Sequence, residues 1–422
     1  MIRLTFYIIL AILLALVAAW VVAHPGDVRL VWQSWEIQMS FATFAALALL
    51  YSLALWGVGR VWRMISNLAP LKSAVRRRRQ RGEAELDKGW SALALDDREM
   101  ARRHARRARN SLGERNDVLR LLSACESDKK RQEILNILRR REETAAFALK
   151  ELLDDALKGG DYGLALSLAR ELNDRQPGVA SVLRRIVDIE IHYGHWQAAE
   201  KSLIAAHKKS AYSEAEFKHL SALLHYVQAV EADVAGQKDL ALTEAQTALK
   251  KDASFLPAAS LAARLLLTRK ETGKARKIIE NTWKIRPHPE LAELFLDLAP
   301  QESPTERFRR VDHLVRFNPD HRESRHLLAA AAIAAGHWPE ARQALDRVVK
   351  ADQATSRTWQ LYALLEQKQK QDMAAAESYL AKARTAPAEA AWHCKNCGYR
   401  SAHYAATCPE CHRFDSLDWK DG

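Results

Sequence analysis

A short frame recurs along this chain and limits what it can fold into. A glycine is followed two residues later by an aromatic ring and five residues later by an alanine. The full copies are Gly160, Tyr162 and Ala165; Gly194, Trp196 and Ala199; and Gly336, Trp338 and Ala341. Gly236 and Ala241 lack the ring, while Asp96 with Ala101, Lys270 with Ala275 and Gln371 with Ala376 lack the glycine. The starts at 96, 160, 194, 236, 270, 336 and 371 are spaced by about 34 residues or twice that, except for one gap of 42 that implies an insertion near Lys208–Glu216. Self-similarity at such a period marks stacked supersecondary units.

The glycine permits a tight turn between two helices, and the alanine lets the second helix approach its neighbour closely. Pro and Asp turns at Gln176-Pro177, Arg286-Pro287 and Asn318-Pro319-Asp320 close the units. This resembles the tetratricopeptide repeat. A single hairpin cannot bury its apolar face, so the copies stack into an α-solenoid with a surface for a peptide or protein. Roughly nine helical pairs are expected, with degenerate ones near 128 and 303. The fold class is therefore all-α. Tyr162, Trp196, Trp283, Trp338 and Trp359 read as packing residues.

Two apolar stretches precede the repeats. Leu4–Ala23 is twenty residues without a charge, enough to cross a ~30 Å hydrocarbon layer at ~1.5 Å per residue. Ser40–Val58 is likewise uncharged. Arg60–Arg81 holds eight basic residues (Arg60, Arg63, Lys72, Arg76, Arg77, Arg78, Arg79 and Arg81) and no acid. The link between the spans holds only Arg29 against Asp27 and Glu36. Basic flanks stay cytoplasmic, so the N-terminus and everything after Arg60 are expected inside and the link outside. Trp20, Trp56 and Trp62 fall near span ends. In the link, Val28, Leu30 and Trp32 alternate, then Trp35 and Ile37, with Gln33-Ser34 between them, which predicts a small hairpin at the membrane surface.

The formal net charge is +12. Eight arginines lie between Arg98 and Arg120, and Lys129, Lys130, Arg131, Arg139, Arg140 and Arg141 follow. Basic groups just inside a membrane attract anionic lipid at ~1 kcal/mol each, and Arg60, Arg63, Arg76, Arg77, Arg78, Arg79 and Arg81 are the expected contacts. No aromatic rings interleave with the arginines between Arg98 and Arg141, so nucleic acid is not the expected partner.

Four of the five cysteines form the pattern C-x2-C-x10-C-x2-C: Cys394, Cys397, Cys408 and Cys411. Two facing knuckles supply four thiolates in a tetrahedron. Zinc in a structural role is the expected occupant, with rubredoxin-type iron as the alternative. Gly398 follows the first knuckle, where a left-handed residue is wanted; its counterpart is His412. Cys125 stands alone and reads as a buried apolar residue. His192, His195, His207, His219 and His225 are close in sequence. Cys408-Pro-Glu-Cys411-His412 formally matches a haem-attachment pattern, but on the wrong side of the membrane. There is no G-x-G-x-x-G, no P-loop, no nucleophile elbow and no metal site with an open position. The chain does not read as an enzyme.

The two spans, the link His24-Pro25-Gly26-Asp27-Val28 and the exit Trp62-Arg63 with its polybasic run resemble the HemY N-terminal-domain family, strongest over residues 1–110. That resemblance implies a bacterial inner-membrane protein associated with haem and porphyrin biosynthesis, with tetrapyrrole-synthesis enzymes as cytoplasmic clients. The cysteine module is similar to the rubredoxin-like end of the LapB (YciM) family, which implies regulation of lipopolysaccharide synthesis by an adaptor that presents an enzyme to a membrane protease. The expected organisation is a membrane anchor over 1–62, a polybasic juxtamembrane linker over 63–83, the repeat solenoid over 84–388 and the metal ribbon over 389–422.

Overall fold

The computed structural model describes residues 2–24, 26–33, 35–66 and 69–420, with the side chains of 2–7, 10, 32, 64–73 and 128 left aside. Pro25 and Ser34 of the link lie outside the described residues. The chain divides into two compact units, Met1–Leu138 and Arg139–Gly422.

The first unit opens with α1 (Ile2–Ala23), the strands β1 (Asp27–Trp32) and β2 (Trp35–Ser40), and α2 (Phe41–Ser66). The expected hairpin is present, antiparallel, with Trp32 opposite Trp35. Within α2, Phe41–Arg63 is long and apolar enough to cross a membrane; the described apolar part of α1 is the shorter Ala11–Ala23. Four further helices follow: α3 (Ala69–Ala94), α4 (Arg98–Leu112), α5 (Asn116–Cys125) and α6 (Asp128–Arg139). Of the polybasic run, Arg60 and Arg63 lie on α2 and Lys72 to Arg81 on α3. Two glycines of α3 mark close approach. A Cβ at Gly82 would lie 2.6 Å from Leu112, and one at Gly89 would lie 2.5 Å from Leu121. Into that contact α4 buries Ala101, Ala105 and Ala108, at helical spacing. Cys125 is buried, and burial raises its thiol.

The second unit contains seven hairpins. They are α7 (Glu142–Lys158) with α8 (Tyr162–Arg175), α9 (Ala180–His192) with α10 (Trp196–Lys208), α11 (Glu214–Val234) with α12 (Lys238–Lys251), and α13 (Leu256–Thr268) with α14 (Thr272–Ile285). Then come α15 (Pro289–Leu296) with α16 (Pro304–Val315), α17 (Arg322–Ala335) with α18 (Trp338–Lys350), and α19 (Ser356–Lys370) with α20 (Met373–Thr385). The extra residues in the 42-residue gap are not a loop. They lengthen α11 to 21 residues, against 13 in α9.

The recurring frame is a helix-ending device. All seven start positions have positive φ: Asp96, Gly160, Gly194, Gly236, Lys270, Gly336 and Gln371. At six of them the next residue's N–H reaches back to a carbonyl five residues earlier, as in His195 to Glu190 and His337 to Ala332, both 2.9 Å. This is a Schellman closure. The same next residue begins the second helix, and at Asp97, Asp161 and Asp372 its carboxylate caps that helix. The frame alanines are all buried: six are fully inaccessible and Ala376 is 5% exposed.

After α20 the chain forms β3 (Ala391–Cys394), β4 (Arg400–Ser401) and β5 (Leu417–Lys420), in the order β4-β3-β5 and antiparallel. Cys394 ends β3, Cys397 lies between β3 and β4, and Cys408 and Cys411 lie between β4 and β5.

Candidate metal centre and its seat on the repeats

Each Cys-x-x-Cys knuckle closes in the same way. The N–H of Gly398 bonds to the carbonyl of Cys394 at 3.0 Å, and that of His412 to the carbonyl of Cys408 at 2.9 Å. Gly398 and His412 are both left-handed, with φ of 75° and 54°. The histidine therefore adopts the conformation wanted at that position, with the strain a side chain brings there.

The four sulfurs of Cys394, Cys397, Cys408 and Cys411 lie within 4.8 Å of one another. Cys394 Sγ is 3.6 Å from Cys411 Sγ, and Cys397 Sγ is 3.7 Å from Cys408 Sγ. Four sulfurs each ~2.3 Å from one tetrahedral centre lie ~3.8 Å apart, so the donor set fits a Zn²⁺-sized ion. The electrostatics agree. Cys394 is held down to about 6, first by the Ser416 side chain and then by N–H groups of Cys397 and Asn396, against burial. Cys411 is held down first by the N–H of Arg413. Cys397 also receives the N–H of Tyr399, yet burial and the neighbouring sulfurs push it up to about 12. A second thiolate so close to the first is unfavourable without a cation between them. Zinc and ferrous iron both meet this donor set.

The ribbon does not sit on the last repeat. It lies back against several earlier hairpins. Trp392, Cys394, Cys408 and Leu417 are buried in one cluster with Leu256, Ile279, Trp283, Leu291 and Phe295. Tyr404 meets Tyr226 and Phe255 edge-on at 5.7 and 6.0 Å. Phe414 stacks on Trp196 at 6.0 Å. His288, capping α15, packs on Trp419 at 4.1 Å and on Trp392 at 6.0 Å. Burial lowers His288 to about 3, so it docks as a neutral ring. His219 Nε2 lies 2.9 Å from Asp415 Oδ1, and this bond raises the histidine above its ordinary value. The ribbon thus meets α10 through Trp196, α11 through His219 and Tyr226, and the N-terminal ends of α13 and α15 through Phe255 and His288.

The connecting segment is clasped further along. The N–H of Arg357 donates to Glu389 at 2.8 Å, and its guanidinium donates to Glu323 at 3.0 Å. The N–H of Ser356 reaches the carbonyl of Pro387 at 3.2 Å. Glu323, His326 and Glu389 also bring ligating atoms within 4.8 Å of one another. With Arg357 bonded to both carboxylates, the group reads as an ion-paired clasp. Sequence gave no signal for it, because its members are distant along the chain.

The other histidines singled out from sequence do not converge. His192 stacks on Tyr162, His195 on Tyr193 and His207 on Phe217. His225 lies between Glu200 and Glu244 at 3.2 and 2.7 Å. The basic excess is also largely spent internally. Arg102 and Arg106 face Glu126, Arg103 faces Glu99, Arg107 faces Glu85, Arg109 faces Glu114, and Arg115 faces Glu83 and Asp117. On α3, Arg79 pairs with Glu83 at 3.2 Å and Arg78 donates to the carbonyl of Asn110 at 2.6 Å. Arg76, Arg77 and Arg81 are exposed, with no ion pair among the described residues.

These features define a repeat-array protein with an apolar N-terminal helix and an intramolecular cysteine ribbon. Residues 26–132 match the family described as HemY protein N-terminus, and residues 308–365 match the tetratricopeptide repeat family. A segment similar to the N-terminus of HemY, a membrane-anchored family, thus precedes a segment similar to tetratricopeptide repeats, which generally mediate contacts between proteins. No curated protein sequence matches it. Among solved structures, a tetratricopeptide repeat protein from Parabacteroides merdae is 16% identical, with a TM-score of 0.27 over 57% of this chain and 93% of that one. A repeat-containing protein from Cytophaga hutchinsonii is 13% identical, with a TM-score of 0.31 over 56% and 94%. The TPR2AB domain of yeast Sti1, solved with pHSP90, is 15% identical, with a TM-score of 0.24 over 56% and 97%.

Proposed function

We propose that this protein is a non-enzymatic adaptor of the bacterial inner membrane. Residues 1–62 anchor it through two spans, Leu4–Ala23 and the apolar part of α2, with the N-terminus and the repeats cytoplasmic. Residues 63–83 join the anchor to the repeats, which extend to 388, and the metal ribbon follows. Arg76, Arg77 and Arg81 meet anionic headgroups, with Arg60, Arg63, Arg78 and Arg79 beside them. Cys394, Cys397, Cys408 and Cys411 hold a structural Zn²⁺. Its chemistry is to fold the ribbon and seat it, since four thiolates leave no open position.

The single observation that carries the reading is the seating of the ribbon against α10, α11 and the N-terminal ends of α13 and α15. A structural module spread over successive hairpins shapes a surface for a protein client. The client is an enzyme of tetrapyrrole synthesis, an assignment supported by the HemY N-terminal match. Holding such an enzyme at the membrane raises its effective concentration near lipophilic porphyrin intermediates. The second reading, a regulator of lipopolysaccharide synthesis, is favoured by the cysteine ribbon alone.

The test is a mild-detergent pull-down of the tagged full-length protein from its native host, scored by mass spectrometry against an untagged control. Enrichment of ferrochelatase or of coproporphyrinogen or uroporphyrinogen enzymes supports the haem adaptor. Enrichment of a membrane protease together with a lipopolysaccharide enzyme replaces it with the second reading. Recovery of neither set above control removes both.

A further inference from the structure

The hairpin between α1 and α2 is two-faced, and its register shows how. Alternate residues of a strand point to opposite sides. One side pairs Val28 with Met39, Leu30 with Ile37 and Trp32 with Trp35. The other pairs Asp27 with Ser40, Arg29 with Gln38 and Val31 with Glu36. Five of the six positions on the second side are polar, and all six on the first are apolar. Leu30, Ile37 and Trp35 are 48%, 50% and 77% exposed, while Val28 and Met39 near the base are half-buried, so the protein's described residues leave the part of this apolar side toward the turn uncovered. A lone two-stranded hairpin is marginal in water and needs something against its apolar face.

The occupant is indicated by where the hairpin begins. β2 runs into α2 without a linker, because Ser40 ends the strand and Phe41 starts the helix. The junction is pinned by the N–H of Phe41 bonded to the carbonyl of Gly26 at 2.7 Å. Phe41 is also the first residue of the stretch long and apolar enough to span a bilayer. The hairpin base is therefore held at the level of the headgroups. Six residues extend ~20 Å, while the interfacial zone on each side of the hydrocarbon is only ~5–8 Å deep. An upright hairpin would carry Trp35 well beyond that zone. A hairpin lying flat puts its whole apolar side into it and its Arg29, Glu36 and Gln38 side into water. Tryptophan is favoured at that depth.

We infer that β1–β2 is an interfacial lipid-binding element that lies along the bilayer surface on its Leu30, Trp35 and Ile37 side. The inference rests on the membrane reading of α2 proposed above. It gives the link a function separate from client binding: fixing the depth and tilt at which α2 enters the membrane.

The test uses the full-length protein in phospholipid vesicles, with one cysteine introduced at a time: Arg29→Cys, Leu30→Cys, Ile37→Cys or Gln38→Cys. Each is labelled with nitrobenzoxadiazole, the unsubstituted chain is the labelling blank, and a Leu49→Cys label within α2 reports insertion. Lipids with a nitroxide near the headgroup should quench and blue-shift the labels at 30 and 37 and leave those at 29 and 38 in water. Equal quenching on both faces, or none on either while the Leu49 label is quenched by deep nitroxides, overturns the proposal. So does lipid-independent shielding of 30 and 37 that is lost on dilution into more vesicles, which would make the face a contact between two copies. A Leu49 label that no lipid quenches refutes the membrane reading of α2 itself.

Discussion

Removing the metal should unseat the ribbon and loosen the middle of the repeat array without unfolding it. The perturbation is Cys394→Ser with Cys397→Ser in the full-length protein. Four ribbon rings meet repeat side chains: Trp392, Tyr404, Phe414 and Trp419. Such rings bury ~150–250 Å² each; with about half of that against the repeats, the seat covers roughly 400 Å² and contributes about 10 kcal/mol at ~25 cal/mol per Å². A structural zinc contributes ~10–16 kcal/mol to the folding of a small module. The seat is thus no larger than the metal term, and the ribbon has little core of its own, so the seat cannot hold it folded alone. Metal analysis should give less than one ion per chain. Proteolysis should cut within 389–420. Amide exchange should speed up in α11, α13 and α15 and stay unchanged in α7 and α8. If only 3 kcal/mol of the seat is lost to the repeats, their Tm should fall by roughly 6–12 °C, at ~2–4 °C per kcal/mol. Unchanged metal content would refute the ligand assignment. Metal loss with unchanged exchange in α11, α13 and α15 would refute the coupling.

Two smaller effects follow from backbone and charge. Lys270→Gly should raise stability by about 1 kcal/mol and Gly336→Ala should lower it by a similar amount in thermal unfolding, because a side chain in the left-handed region costs ~1–2 kcal/mol and glycine returns part of that in chain entropy. The ion pair of His219 with Asp415 should make seating pH-dependent. Its folded value is raised, so its contribution is fully present below the ordinary histidine value of ~6.5 and is lost as pH rises through the raised value. The pair is partly exposed, which limits it to about 1 kcal/mol or less. Ribbon protection in the parent minus that in His219→Gln should be positive at acid pH and vanish at alkaline pH. A pH-independent difference would dismiss the pair as the cause. His288 works in the opposite sense in both proteins and cancels in the comparison.

The helix-ending frame was legible because its requirement is local. A left-handed residue followed by a helix start leaves a trace even where glycine is absent, and Asp96, Lys270 and Gln371 adopt the same conformation as Gly194. The hairpin was legible from alternation and the knuckles from cysteine spacing. Pairings across long separations were not. Nothing near His219 in sequence announces Asp415, and nothing near Arg357 announces that it joins Glu323 to Glu389. The arginines of α4 and α5 misled in the same way. Counted along the chain they are a basic run, but folding brings Glu83, Glu85 and Glu126 against them. The insertion was located but not its form, since extra residues that continue a helix leave no turn signal.

An open stack of hairpins touches only its sequence neighbours, so it can fray from either end and zip up from any nucleus. The bond between His219 and Asp415 spans 196 residues and ties the last strands to the third hairpin of the second unit. That contact makes the intervening chain a ring. Forming it carries a loop-closure cost that local zipping does not, so the seated ribbon should be the last part to arrive in folding. Once seated it guards the C-terminal hairpins against unravelling one at a time, and a pull on the C-terminus would load the middle of the array before its end.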